Sequence, residues 1–273
     1  SYATYASNNA TRTDVVYAGA NDGFLHGFRA GAYTAGGVFD STAPNDGLEL
    51  LGYMPSSALA TIHNTNPALD FSSPSYSHAV FVDATPGTGD LYYNGAWHTW
   101  LVGGMGAGGN ATGPIGDDTT TATGGSIFAL DVTNPANFSE ANAASLVIGD
   151  WGAYNNSNGS IPINCVNNTP ANCGNNLGNT FGTPIIRRLH DGNWAVIFGN
   201  GLNSSTGTAG IYIMEVSSTG AISFRFLDTG YGPSKDPLGA GNKNGIAYVS
   251  SADLDGDHIT DYVYAGDVFG NLW

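Results

Sequence analysis

The sequence predicts an all-β fold assembled from repeated four-stranded antiparallel units. Three observations carry that expectation: a composition suited to turns, a strand–glycine–strand pattern that recurs along the chain, and further strand-like segments flanking each recurrence. Glycine makes up 40 of the 273 residues and only 11% of residues are charged, against about a quarter in typical soluble domains. A strand-and-turn fold needs glycine and asparagine wherever φ must be positive. The length is enough to bury a sizeable core.

In chain order, Asp14-Val15-Val16-Tyr17-Ala18-Gly19-Ala20-Asn21-Asp22-Gly23-Phe24-Leu25 aligns without gaps on Asp261-Tyr262-Val263-Tyr264-Ala265-Gly266-Asp267-Val268-Phe269-Gly270-Asn271-Leu272. Two looser copies lie between them. Trp97 to Gly104 leads, after an insertion, to Gly125 to Val132, and Trp194 to Gly201 leads to Gly210 to Val216. Upstream strand candidates are His78–Asp83, Thr183–Leu189 and Ala247–Ala252; downstream ones are Glu49–Tyr53, Leu146–Asp150 and Ile222–Phe226. Asp191-Gly192 reads as a hairpin turn between the first two strands of its unit. Four strands per unit make the blade of a β-propeller.

Short strands also build β-sandwiches, but ordered repetition of one four-strand unit argues against that. Parts of about four blades are present, the first without its opening strand and the last stopping at Trp273. Residues 1–273 therefore read as a single partial propeller segment with no second domain, its ring completed by residues not present in this chain. The longest connections are Thr34–Asp46, Gly104–Gly124 and Tyr154–Thr180. Long loops on a rigid scaffold are where binding surfaces tend to sit.

One connection is chemically distinct. In Asp253-Leu254-Asp255-Gly256-Asp257-His258-Ile259-Thr260-Asp261, carboxylates stand at positions 1, 3, 5 and 9. Ca2+ takes six to eight hard oxygen ligands, and this spacing supplies them. The ligand set is then Asp253, Asp255, Asp257, the Ile259 backbone carbonyl and Asp261, with water filling the remainder. An Asp/Gly turn between two strands is the plainer reading, but four carboxylates within nine residues repel one another unless a cation neutralises them. His258 holds position 6, where Gly is preferred, and no Glu closes position 12, which is Tyr264.

The formal net charge is −15, with seven Lys and Arg, so no basic patch exists for nucleic acid. Cys165 and Cys173 stand eight positions apart without further Cys or His at zinc spacing, which favours a disulfide and an oxidising compartment. No apolar run is long enough to span a membrane. The chain opens on polar Ser1-Tyr2-Ala3-Thr4 without a signal peptide, as expected of a mature protein or a piece of a longer one. Gly103 to Gly109 leads into no helix and carries no Lys, which argues against a phosphate loop. His26, His63, His78, His98, His190 and His258 are dispersed. Of these, His26, His78 and His190 fall at strand ends or turns, where structural hydrogen bonds are the commoner role. Trp97, Trp100, Trp151 and Trp194 fall in strands or at their ends and read as inter-blade packing.

The repeats, in their order and combination, resemble the C-terminal β-propeller domain of the PilC/PilY family of type IV pilus tip-associated adhesin and biogenesis factors. The resembling stretches are Val15–Phe28, Tyr76–Asp83, Leu101–Gly109, Phe128–Val132, Leu189–Gly201 and Ala252–Trp273. The resemblance implies a non-enzymatic, secreted protein, exported through the periplasm to the cell surface and pilus tip. It implies support of pilus extension, twitching motility and attachment through a Ca2+-dependent state. Partners would be minor pilins, and host or abiotic surfaces through regions not in this chain. The family's Ca2+ site lands on Asp253, Asp255, Asp257, Ile259 and Asp261. Two other readings compete with this one. A quinone-dependent propeller dehydrogenase also uses Ca2+ but resembles its relatives in a vicinal cysteine pair, which Cys165 and Cys173 are not. A purely structural ion would merely stiffen one blade.

Overall fold

The structure is a computed structural model that describes residues 1–59, 66–68, 70–78, 80–108, 125–152, 160–167 and 173–273. His63, Gly109, most of the Gly104–Gly124 connection and part of the Tyr154–Thr180 connection lie outside the described residues.

Four sheets follow one another along the chain. The first contains β1 (Val15–Gly19), β2 (Leu25–Arg29) and β3 (Glu49–Tyr53). The second contains β4 (Gly87–Tyr93), β5 (Ala96–Gly104), β6 (Ser126–Asp131), β7 (Val147–Gly152) and the two-residue β8 (Ile161–Pro162). The third contains β9 (Ile185–Arg188), β10 (Trp194–Gly199), β11 (Gly210–Val216) and β12 (Ile222–Asp228). The fourth pairs β13 (Val249–Ala252) with β14 (Tyr262–Ala265). Within each sheet neighbours in sequence are neighbours in space, antiparallel except for β7 with β8. These are the meandering blades that the repeats predict.

The gapless repeat reappears as the same turn built twice. The Ala20 N–H bonds the Phe24 carbonyl at 2.9 Å, and the Asp267 N–H bonds the Asn271 carbonyl at 3.0 Å. Gly23 and Gly270 stand in it at φ 96° and 87°, a region where a Cβ is penalised and glycine is not.

Burial separates a propeller from a sandwich. Along β5, Trp100 and Val102 enter a core shared with the third sheet, while Leu101 between them enters a core shared with the first. Along β10, Val196 and Phe198 face the second sheet and Ala195 and Ile197 face the fourth. The two middle sheets are thus covered on both faces, whereas each sheet of a sandwich keeps one face in water. Trp100 and Trp151 are buried between blades, as expected, and the Trp97 and Trp194 rings meet at 5.5 Å across the same boundary.

One expectation is corrected. The described residues of His78–Asp83 form no strand: residues 80–83 run irregularly, with the Phe81 N–H on Asn21 Oδ1 at 3.1 Å and the Val82 N–H on the Ala20 carbonyl. Consecutive Phe81 and Val82 both enter the core, which breaks the alternation of a strand. The opening strand of that blade is instead β4, whose Gly87 and Gly89 hid it by low strand propensity. Both glycines are there because a Cβ would meet the Pro184 carbonyl and the Ile186 side chain of the next blade. β4 turns into β5 through Asn94-Gly95, at φ 51° and 78°. The structure also holds α1 (Tyr2–Asn9), for which no element was expected; it lacks an apolar stripe and buries no residue. Ser1 caps it, accepting the Thr4 N–H at 3.3 Å, and Tyr2 lays its ring 4.6 Å from that of Trp97.

Cys165 and Cys173 form a disulfide with Cα atoms 5.7 Å apart. Both are buried, and the segment leading from Cys165 runs along the free edge of β12: the Val166 N–H bonds the Phe224 carbonyl at 2.9 Å, and Asn167 exchanges two hydrogen bonds with Phe226. The bridge thus staples the exit of the second blade to the rim of the third. The Cys165→Ser, Cys173→Ser double variant is expected to lose about 2–3 kcal/mol from the small loop it releases, read as a lowered urea midpoint under non-reducing conditions.

Candidate metal centre

The Asp253–Asp261 loop joins β13 to β14 in the position that Asn94-Gly95 and Asp191-Gly192 occupy in the two preceding blades. It is an elaborated hairpin on an otherwise repetitive scaffold. Its carboxylates shape it by capping its own backbone. Asp253 accepts the Gly256 N–H at 2.7 Å and the His258 N–H at 2.8 Å; Asp255 accepts the Asp257 N–H at 3.2 Å; Asp257 accepts the Ile259 N–H at 2.8 Å. Asp261 Oδ2 reaches back across the loop to the Leu254 N–H at 2.7 Å. Gly256 and His258 take φ of 79° and 67°, so His258 does adopt the left-handed turn that position 6 demands. Histidine is among the residues that tolerate it.

Three of the four carboxylates converge. One oxygen each from Asp253, Asp255 and Asp261 lies within 4.8 Å of the others. Asp257 stays outside that group with its oxygen on Ile259, and Ile259 is half-buried at position 7. Burial works against ionisation of Asp253, yet the His258, Gly256 and Asp257 amides outweigh it and hold its carboxyl below the usual carboxylate range. The donors are all oxygen, as hard cations require.

Contacts to the preceding blade were not legible in the sequence. His190, in the β9–β10 hairpin, places Nε2 3.0 Å from Asp261 Oδ1. The Thr260 N–H bonds the Arg188 carbonyl at 3.0 Å, and Arg187 Nε donates to Ser251 Oγ at 2.7 Å. Seventy-one positions separate His190 from Asp261, and only the packing of the third blade on the fourth joins them.

Three other described histidines also have polar partners. His98 Nδ1 lies 2.8 Å from Asp131, His78 Nε2 lies 3.4 Å from Asn21, and His26 sits between Glu49 at 2.7 Å and Asp22 at 3.0 Å. The Glu49 hydrogen bond raises the His26 pKa, partial burial opposes it, and Asp22 adds to the rise. Because the folded-state value lies above the unfolded one, this contribution to stability is fully present below about pH 6.5. It is lost as pH rises through the folded-state pKa. His26→Gln is therefore expected to narrow the gap in denaturation midpoint between pH 5.5 and pH 8.5, relative to the parent chain; parallel profiles would refute the assignment.

The whole chain, residues 1–273, matches the family described as the PilY1 beta-propeller domain. It is 33% identical over 272 residues to the type IV pilus biogenesis factor PilY1 of Pseudomonas aeruginosa PAO1, covering 100% of this chain and 18% of that protein. It is 33% identical over 270 residues to a PilY1 homologue of Xylella fastidiosa Temecula1, covering 98% of this chain and 14% of that protein. The chain thus spans less than a fifth of the length of these relatives, which are named as pilus biogenesis factors and not as enzymes. The crystal structure of the Pseudomonas aeruginosa PilY1 C-terminal domain superposes with a TM-score of 0.64 at 32% identity, over 100% of this chain and 40% of that one. With repeats, blades and family model in agreement along the full length, the chain belongs to the PilY1 β-propeller domain family of type IV pilus biogenesis factors.

Proposed function

We propose that the chain is a Ca2+-binding, non-catalytic propeller segment, residues 1–273 forming one unit, of a pilus biogenesis factor. The observation that carries the ion is the convergence of Asp253, Asp255 and Asp261 within 4.8 Å, in a loop with oxygen donors at positions 1, 3, 5 and 9. Like charges at this separation repel one another. A divalent cation turns that repulsion into attraction. Asp253, Asp255 and Asp261 would hold it, joined by Asp257 and the Ile259 carbonyl. When bound, the ion neutralises the loop and ties its two ends together. His190 and Thr260 then carry that rigidity to the third blade.

In this reading the domain works outside the cell, at the pilus tip, after export through the periplasm. Minor pilins are its partners, and host or abiotic surfaces are contacted through regions outside this chain. Pilus extension, twitching motility and attachment then depend on whether the ion is bound. The disulfide suits an oxidising compartment. No helix among the described residues is long and apolar enough to cross a membrane. Calorimetric titration of the chain with Ca2+ is expected to give one ion per chain, and absence of binding up to millimolar Ca2+ would overturn the reading. Pilus extension in a strain carrying a folded site variant separates a switch from a staple: unchanged extension means the ion only stiffens the blade.

A further inference from the structure

Beside the loop, a groove of about 360 Å3 runs between β9 and the 253–261 segment, at the small end of the range for ligand sites. Trp194 and Arg188 stand on its β9–β10 side, and Arg187, Ser251, Thr260 and Asp253 also line it. Trp194 and Arg188 are direct cross-strand partners, so their side chains leave the same face of the sheet about 5 Å apart. Trp194 is only partly buried and Arg188 is exposed. Four of the five arginines have side-chain partners. Arg29 pairs with Asp46 and Arg225 with Glu215, while Arg12 bonds Thr99 and the Thr133 carbonyl and Arg187 bonds Ser251. Among the described residues, Arg188 is the arginine whose guanidinium has neither a hydrogen-bond nor an ion-pair partner. It stands in a chain of net charge −15 with seven Lys and Arg in all.

We propose that this groove binds a carboxylate-bearing sugar. A partly exposed indole offers a flat apolar surface to the C–H groups of a pyranose ring. The neighbouring guanidinium offers a planar fork that matches a carboxylate bidentately. Arg187, Ser251 and Thr260 place further hydrogen-bonding groups around the ring position, as a ligand dense in hydroxyls requires. An acidic peptide would need sockets for apolar side chains, and the walls are polar apart from one ring and the flanks of Ile186 and Ile259. Asp253, facing the same groove, repels an anion until the loop is neutralised. Binding is therefore ion-dependent, a clause that rests on the Ca2+ reading above.

The test uses methyl β-D-glucuronide as probe and methyl β-D-glucoside as its neutral control, followed by ligand-observed NMR and indole fluorescence, with Ca2+ or with a chelator. With Ca2+ the glucuronide is expected to bind about tenfold more tightly than the glucoside, as one charge-assisted contact provides. Arg188→Gln, an exposed change that leaves the core intact, is expected to erase that preference. The Asp253→Asn, Asp255→Asn variant is expected to bind the glucuronide without Ca2+, because its loop is already less negative. This arm stands even if the chain binds no Ca2+, so failure of the groove and failure of the ion site are distinguishable. Equal binding of the two glycosides, an unchanged preference in Arg188→Gln, or no glucuronide binding by the Asn variant would each overturn the proposal. A blocked Glu-Glu dipeptide binding as tightly as the glucuronide would assign the groove to acidic peptide instead.

Discussion

Asp253→Ala combined with Asp261→Ala is expected to lower Ca2+ affinity at least about 100-fold. Removing even a hydrogen-bond partner of a ligand commonly costs 10–100-fold, and this variant removes two of the three converging carboxylates that the proposed site rests on. The two residues also anchor opposite ends of the loop: Asp253 caps the Gly256 and His258 amides, while Asp261 returns to Leu254. A bound ion stabilises by about 2.7 kcal/mol at a hundredfold excess over its dissociation constant. For a chain of this size that is a rise of about 5–10 °C in melting temperature. The parent chain should show that rise on adding Ca2+ and the double variant should not. Asp257→Ala should weaken binding less, since its carboxylate lies outside the converging group. His190→Ala should also weaken it, by freeing Asp261 from the third blade. A double variant that kept the full Ca2+-induced rise would place the ion elsewhere in the chain.

Trp100→Ala is expected to cost about 3–5 kcal/mol, the range for emptying a large aromatic from a packed core. Whole domains are stable by only about 5–15 kcal/mol, so a large share of the folded population is at stake. Trp100 is 1% exposed, donates its indole N–H to Tyr93 at 3.3 Å and fills the boundary between the second and third sheets. Trp97, three positions earlier and at the end of the blade, is only partly buried and should cost much less when truncated. Comparing urea midpoints of the two variants checks the packing directly. A loss below about 1 kcal/mol at Trp100 would mean that the second and third blades do not share that core.

Legibility in the sequence followed how local each signal was. The strand–glycine–strand repeat was readable because Val15–Leu25 and Tyr262–Leu272 need the same turn and so retain the same residues at it. The Asp253–Asp261 loop was readable because its donors lie within nine residues. β4 was missed because Gly87 and Gly89 answer to Pro184 and Ile186 of another blade, not to their own strand. α1 was missed because Ser1 and contacts to Trp97 and Asp90 hold it, without any helical apolar pattern. The glycines at 103–108 explain themselves only in three dimensions: side chains at Gly104, Gly106 and Gly108 would meet Thr180, Asp83 and Phe81.

By itself, the sequence determined the fold class, the run of blades, the disulfide partners and a nine-residue loop of carboxylates. Each of these depends on period, composition or short spacing, which are properties of neighbouring residues. Tertiary structure decided which three carboxylates converge, that His190 of one blade holds Asp261 of the next, and that Trp194 and Arg188 share a groove with the loop. Those outcomes depend on how consecutive sheets are pressed together by the apolar residues between them. Burial is non-directional and favours any arrangement that removes apolar surface from water. Which polar groups come to face one another across the seam is settled only when the blades have packed.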